Sequence, residues 1–171
     1  MVKKLSIDKR HNSMRGWFAF ELHEQMRLDK DIWVVTGDLG FGMMDNIKKD
    51  FPNRFVNVGA SEQLLIGVGV GLADEGKVPI VYSITPFLLY RPFETIRNYV
   101  NREKPKVVLV GSGRNRDYEM DGFSHWAEED VEILKIFSNI NAAWPDKKEH
   151  VGRVLKKALK RSGPSYINLR R

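Results

Sequence analysis

Short apolar runs alternate with longer amphipathic stretches along the chain. The apolar runs are rich in β-branched residues and are bounded by Gly, Pro or charged residues, which is typical of strands buried on both faces of a parallel sheet. Six runs are predicted as strands on this basis: IWVVTG (Ile32 to Gly37), RFVNVG (Arg54 to Gly59), PIVYSI (Pro79 to Ile84), VVLVGSG (Val107 to Gly113), NINAAW (Asn139 to Trp144) and SYINLR (Ser165 to Arg170). Their alternation with helices predicts an α/β fold with one open, mostly parallel sheet of about six strands and helices on both faces.

Apolar residues recur at helical spacing between the predicted strands. Residues 13–28 show this spacing behind two candidate N-caps, Asn12 and Ser13. Further helices are predicted over residues 91–100 and 128–137, the second with acidic residues in its first turn, where the helix dipole favours them. The basic C-terminal stretch has helical spacing too, so we expect its lysines on the solvated face of a helix rather than against nucleic acid.

The glycine-rich segment 61–77 (SEQLLIGVGVGLADEGK) permits two interpretations. Val and Gly alternate with a period of two, so β propensity allows a strand. The length of the segment and the spacing of Gly67 and Gly71 suit a buried helix whose small residues let another backbone approach closely. The pattern alone leaves both structures open.

Composition excludes several classes of protein. The chain has 171 residues, 42% of them hydrophobic and 29% charged, so one folded domain is expected. Its longest apolar run covers residues 64–73, short of the ~20 residues of a membrane span. Cysteine is absent, which excludes disulfides, thiol nucleophiles and cysteine-ligated zinc. The first residues do not have the pattern of a signal peptide, so a cytoplasmic location without membrane partners is expected.

The residues that follow the predicted strands are the candidates for chemistry, because ligands of open parallel sheets bind at the carboxyl ends of the strands. They are Asp38 and Leu39 after the first strand, Glu62 after the second, Thr85 and Phe87 after the third, and Asp121 and His125 after the fourth. No metal site is expected, because the acidic residues Asp121, Glu128, Glu129 and Asp130 match no calcium or zinc spacing. A solvated helix start is expected for them instead.

Glu62 and His125 each have a structural alternative. Glu62 leads directly into the apolar segment, so its carboxyl group is expected to hold its proton or to need a hydrogen-bonding partner. It could equally be an ordinary acid that stabilises the first turn of a helix. A single histidine such as His125 is more often a surface or structural residue than a catalytic one.

Taken together, six segments resemble the pyrimidine-binding domain of transketolase and its thiamine-diphosphate relatives. They follow the order and spacing of that family over about residues 12–171, and residues 1–11 are expected to be a loose N-terminal extension. The segments are TGDLG, FPNRFVNVGASEQLLIGVGVGLADEGKVPIV, FLLYRPFETIR, DGFSHWAEEDVEILK, NAAWPDKKEHVGRVLKKAL and GPSYINLRR. The resemblance implies that the glycine-rich segment is a helix, which in this family packs at the subunit interface.

The resemblance also implies roles for individual residues. Glu62 matches the glutamate that hydrogen-bonds the aminopyrimidine of thiamine diphosphate and so promotes formation of the ylid. Phe87 matches an aromatic residue that stacks on the aminopyrimidine ring, and Asp38 and Leu39 match residues near the thiazolium. Asp121 and His125 match residues that contact the hydroxyls of the sugar. Arg15 and Arg171 resemble arginines that bind the substrate phosphate. Glu62 and His125 are the predicted catalytic residues.

The chain departs from the family pattern in two respects. Gly113 stands where a histidine is common, and the stretch RNRDYEM is unusually charged, so the resemblance does not fix the donor or acceptor sugar. The diphosphate-binding domain, which supplies the magnesium ligands, has no counterpart in the sequence. The resemblance therefore implies a separate diphosphate-binding subunit, two copies of each chain in a heterotetramer, and thiamine diphosphate with magnesium held between them.

The predicted function is transfer of a two-carbon ketol unit between sugar phosphates by a split transketolase-like enzyme. One alternative is a component of a 2-oxo acid decarboxylase or dehydrogenase, or of an enzyme like deoxyxylulose-phosphate synthase. Another is a non-catalytic regulatory or scaffolding subunit that keeps the fold without the chemistry.

Overall fold

The protein is described by a computed structural model that covers residues 2–6 and 11–171. Six parallel strands form one sheet in the order β2-β1-β3-β4-β6-β5. They are β1 (Ile32–Thr36), β2 (Phe55–Asn57), β3 (Val78–Ile84), β4 (Val108–Ser112), β5 (Asn141–Ala143) and β6 (Ser165–Leu169). All six apolar runs therefore form strands, and the α/β class is confirmed. The two edge strands have three residues each, whereas the four interior strands have five or seven.

Helices cover both faces of the sheet, as predicted. They are α1 (Met14–Leu28), α2 (Asp45–Asp50), α3 (Glu62–Asp74), α4 (Thr85–Leu89), α5 (Phe93–Thr95), α6 (Asp130–Ile136) and α7 (Val151–Lys160). Helices α1, α2 and α7 pack on one face, and α3 to α6 pack on the other. Successive strand residues point to opposite faces, so Val34 and Val35 contribute to the two different halves of the core.

The helix boundaries follow local chemistry. Ser13 caps α1, because its side-chain oxygen accepts a hydrogen bond from the Gly16 N–H at 3.1 Å. The helix predicted over residues 91–100 begins only after Pro92 and continues as a π-helical segment, Ile96–Arg102. The helix predicted over residues 128–137 begins at Asp130, since Glu129 has non-helical backbone angles.

The glycine-rich segment forms helix α3, and its glycines divide into two kinds. A Cβ atom at Gly69 would lie 2.6 Å from Cγ2 of Val81, so the close backbone approach inside this chain occurs at Gly69, against β3. Gly67 and Gly71 are exposed, and a Cβ on either would meet nothing within 4 Å. The face that carries Gly67 and Gly71 is therefore exposed in the single chain, and its packing at a subunit interface stays a prediction.

The two ends of the sequence pack against α1. The Leu5 N–H donates to Glu24 Oε1 at 3.2 Å. Residue 1 and residues 7–10 of the predicted extension lie outside the described residues. Helix α7 buries Val151 and Leu155 and exposes its basic side chains, as its spacing predicted. Within the described residues, no helix is long and apolar enough to cross a bilayer.

Candidate functional site

The loops that leave the carboxyl ends of the strands bring most of the predicted site residues together. Strands β1, β3, β4 and β6 are consecutive neighbours in the sheet, so the residues that follow them share one edge. Contacts along this edge form two groups, which meet at His125. One group surrounds Phe87, and the other surrounds Tyr118, a residue that the sequence did not single out.

Glu62 and Phe87 are joined by an arginine. Arg91 Nη1 donates a hydrogen bond to Glu62 Oε1 at 2.8 Å, and its guanidinium carbon lies 3.7 Å from the centre of the Phe87 ring. The Glu62 side chain is 10% exposed, whereas that of Arg91 is 50% exposed. Glu62 thus has a hydrogen-bonding partner, one of the two outcomes expected for its carboxyl group, and it also lies in the first turn of α3, as the structural alternative predicted. Arg91, four residues after Phe87, was missed.

His125 lies against the other side of Phe87. The two ring centres are 4.9 Å apart with an edge-on geometry, and the Ser124 hydroxyl lies 3.1 Å from His125 Nδ1. The Tyr118 ring is 6.4 Å from that of His125. His125 therefore lies between the group around Phe87 and the group around Tyr118, where it can reach a molecule bound at either group.

Tyr118 connects three of the four residues predicted to bind substrate. Arg15 Nη1 donates to the Tyr118 hydroxyl at 3.2 Å, and the Arg171 guanidinium carbon lies 4.7 Å from the centre of the ring. Arg171 Nη1 also lies 3.7 Å from Asp121 Oδ2. Two cations thus contact a single aromatic residue, and one of them also lies near a carboxylate.

A cavity of about 300 Å³ opens beside this group, between the start of α1 and the loop after β1. Arg15 and Tyr82 bring polar atoms to its wall, and burial is the main cause that raises the pKa of Tyr82. Arg15 Nε is buried and has no hydrogen-bond partner among the described residues. A cavity lined by a partly buried cation that makes no ion pair within the described residues suits an anionic group.

Asp38 and Leu39 lie at the same edge but contact other residues. Asp38 has a positive φ of 55°, and its backbone N–H and Oδ1 exchange two hydrogen bonds with the Asn57 side chain, at 2.9 and 2.8 Å. The Leu39 carbonyl accepts a hydrogen bond from Thr36 Oγ1, and its side chain packs partly against the core. These contacts fix the turn after β1, and none of them joins the two residues to Glu62 or Phe87.

A buried polar network lies beneath the site. Asp130, expected at a solvated helix start, is 1% exposed, and its Oδ2 accepts hydrogen bonds from the Trp144, Asn168 and Tyr166 side chains at 2.7 to 3.1 Å. Asn168 Nδ2 also donates to Thr85 Oγ1, and that hydroxyl donates to the Gly113 carbonyl at 2.7 Å. The network therefore ties the loops after β3 and β4 to β6 and α6.

Burial shifts the titration of two side chains in this network. Burial, followed by the charge of Asp130, raises the pKa of Tyr166 well above its ordinary value. Burial also lowers the pKa of Arg114, whose Nε donates to Asn168 Oδ1. Within residues 2–6 and 11–171, no group of three acidic, histidine or cysteine side chains is placed to hold a metal ion.

A six-stranded parallel sheet with its functional side chains gathered at the carboxyl edge is the architecture of an α/β ligand-binding domain. The family model described as "Transketolase, pyrimidine binding domain" matches residues 11–171. The chain belongs to this family.

Two relatives of the chain are a section and a subunit of transketolases. The chain is 31% identical over 172 residues to the "Putative transketolase C-terminal section" of Methanocaldococcus jannaschii, and it covers 54% of that protein. It is 33% identical to one subunit of the apulose-4-phosphate transketolase of Actinobacillus succinogenes over 121 residues, which are 71% of this chain and 39% of that protein. The chain thus spans about half the length, or less, of these relatives.

Solved structures agree with the fold. A split-gene transketolase, described as an inactive beta4 tetramer, superposes with a TM-score of 0.82 and 31% identity over 93% of this chain and 51% of that one. At this identity, the likeness supports the family assignment as well as the arrangement of strands.

Proposed function

We propose that the chain is the pyrimidine-binding subunit of a split transketolase-like enzyme. Together with a separate diphosphate-binding subunit, it transfers a two-carbon ketol unit between sugar phosphates. The observation that carries this proposal is the position of Arg91. A flat, nitrogen-rich group lies on the Phe87 ring and donates to Glu62, which is the pair of contacts that an aminopyrimidine ring would make.

Arg91 thus occupies the place that the cofactor ring would take, and its contacts indicate which groups are available to that ring. Phe87 offers a ring face, and Glu62 offers an acceptor beside it. Both features suit the aminopyrimidine of thiamine diphosphate. When bound, the cofactor supplies a thiazolium carbon that adds to a carbonyl and carries the two-carbon unit.

In the proposed mechanism, Glu62 shares a proton with a ring nitrogen of the aminopyrimidine, and Phe87 orients the ring. Arg91 has to leave Glu62 first, because its guanidinium occupies both the Glu62 oxygen and the Phe87 ring face that the aminopyrimidine would use. Half of the Arg91 side chain is exposed, so this exchange needs no opening of the core.

The Tyr118 group serves the substrate. Arg15 and Arg171 hold an anionic end group, and Asp121 and His125 bind sugar hydroxyls. His125 also lies against Phe87, so it can reach the reacting end of a sugar bound above that ring. Asp38 and Leu39 are proposed to border the thiazolium from the turn after β1.

The Arg15 cavity favours sugar phosphates over simple 2-oxo acids. A 2-oxo acid has its carboxylate at the reacting carbon and needs no second anion site, whereas a ketose phosphate has an anion at its far end. A relative named for apulose 4-phosphate is consistent with this substrate class.

The proposed assembly is supported by the split transketolases among the relatives and by one exposed face of the chain. The proposed partner holds the diphosphate and the magnesium ion, and two copies of each chain form a heterotetramer in the cytoplasm. The exposed face of α3 supports contact between copies. Leu64 is 52% exposed there, and Gly67 and Gly71 leave room for another backbone.

Glu62→Gln tests the proposal in the complex with the diphosphate-binding subunit. We expect two-carbon transfer from a ketose phosphate to fall by at least ~100-fold, because the glutamine cannot exchange a proton with the cofactor. Native mass spectrometry should show the same complex, and calorimetry should show thiamine diphosphate still bound.

Glu75→Gln is the matched control, since Glu75 is an exposed acid at the other end of α3. It should leave transfer unchanged. Full turnover by the Glu62→Gln complex would contradict the assigned role, and a chain that recruits neither partner nor cofactor would favour a scaffolding subunit.

A further inference from the structure

The space at Gly113 is filled by a side chain from elsewhere in the loop. Gly113 has a φ of +88°, and a Cβ atom there would lie 2.4 Å from Cε2 of Tyr118. A side chain at position 113 and the Tyr118 ring therefore exclude each other. Where the resemblance expects a histidine, this chain has a tyrosine contributed five residues later.

The Tyr118 hydroxyl is fully engaged. It accepts from Arg15 Nη1 at 3.2 Å and shares a proton with Ser112 Oγ at 2.8 Å. The residue is only 8% exposed, so its orientation is fixed by burial as well as by these bonds. A phenol with its donor and acceptor sites in use has little left to offer a ligand directly, but it can hold Arg15 in one direction.

The charges around Tyr118 leave one cation without a counter-charge. Arg171 packs on the ring and has Asp121 at 3.7 Å. Arg15 has a neutral partner, Tyr118, and makes no ion pair within the described part of the chain. The residue lines the 300 Å³ cavity, so an anion in the cavity would supply the missing counter-charge.

We propose that Tyr118 is the positioning residue for the substrate anion: its hydroxyl directs Arg15 into the cavity, and its ring supports Arg171. The role deepens the proposed function and rests on it for the identity of the anion as a sugar phosphate. Tyr118 thereby replaces a direct histidine contact with an indirect one that acts through two arginines.

Tyr118→Phe removes the hydroxyl and keeps the ring. Inorganic phosphate is the first probe, used with the full chain in titrations followed by thermal stability at constant ionic strength. We expect wild-type chain to be stabilised by phosphate, and Tyr118→Phe to bind it about fivefold more weakly. Tyr99→Phe, the same change at an exposed tyrosine, is the control and should match wild type.

A double-mutant cycle separates positioning from general stability. If Tyr118 acts through Arg15, the Tyr118→Phe/Arg15→Ala variant should bind phosphate no more weakly than Arg15→Ala alone. In the complex, Tyr118→Phe should raise the KM for a ketose phosphate about fivefold with kcat unchanged, and should leave the KM of the unphosphorylated ketose unchanged.

The proposal is overturned if Tyr118→Phe binds phosphate as wild type does, if the two changes are additive, or if wild-type chain shows no response to phosphate. If the phosphate results hold but the complex transfers no two-carbon unit, the proposed function fails while the role of Tyr118 stands.

Discussion

The two polar clusters at the carboxyl edge differ in how completely the chain satisfies them. The Asp130 network is buried, and its donors and acceptors find partners on β6, α6 and neighbouring loops. The Glu62–Arg91–Phe87 cluster is bridged by a half-exposed arginine that can be replaced. The Asp130 network, in which these polar groups are paired, holds the loops in place. In the Glu62–Arg91–Phe87 cluster, which we call the open cluster, a ligand can replace Arg91.

Breaking the Asp130 network should have the largest effect on folding. Asp130→Ala leaves the Trp144, Tyr166 and Asn168 donors without their shared acceptor, so we expect the free energy of unfolding to fall by about 3–5 kcal/mol. Urea denaturation of the full chain measures it. Glu132→Ala, at an exposed acid on the same helix, should cost less than about 0.5 kcal/mol. Equal losses would show that the network adds nothing.

A change at Gly113 tests the contact between the Asp130 network and Tyr118. Gly113→Ala combines a left-handed φ with a clash against Tyr118, so a loss of about 2–4 kcal/mol in the free energy of unfolding is expected. Gly76→Ala provides the comparison, because Gly76 has a φ of +74° and no atom within 4 Å of its would-be Cβ. Gly76→Ala should lower the free energy of unfolding by about 1 kcal/mol. An equal or smaller loss for Gly113→Ala would mean that Tyr118 moves aside freely.

The smallest effect on stability is expected in the open cluster. Arg91→Ala should change the free energy of unfolding by less than about 1 kcal/mol, since exposed ion pairs contribute little. It should tighten thiamine diphosphate binding by the complex about threefold, measured by titration calorimetry, because Glu62 no longer has a competing partner. Weaker binding would identify Arg91 as a ligand of the cofactor rather than its competitor.

The sequence predicts the strands and the loops that follow them better than it predicts the contacts made within the site. All six strands were found, because buried parallel strands are continuous apolar runs that local composition marks clearly. The loops at the carboxyl edge followed from the topology. The glycine-rich segment was undecided on pattern alone, since its period of two competed with its length, and the family resemblance correctly favoured a helix.

The partners of the site residues could not be predicted in this way. Arg91 and Tyr118 act through contacts that depend on how loops cross above the sheet, and no spacing in the sequence marks them. Asp130 was expected in water because acids at helix starts usually are, yet the aromatic and amide side chains of β6 and the segment after β5 enclose it. The roles of all the predicted site residues remain predictions: Arg15, Asp38, Leu39, Glu62, Phe87, Asp121, His125 and Arg171.

The lengths of the strands bear on how the chain behaves at high concentration. Sheets aggregate when a long, flat edge offers unpaired N–H and C=O groups to another molecule. Here both edge strands have only three residues, and the long strands are enclosed. Each edge therefore presents too short a template for a foreign strand, which guards against amyloid-like pairing while α3 keeps an apolar face open.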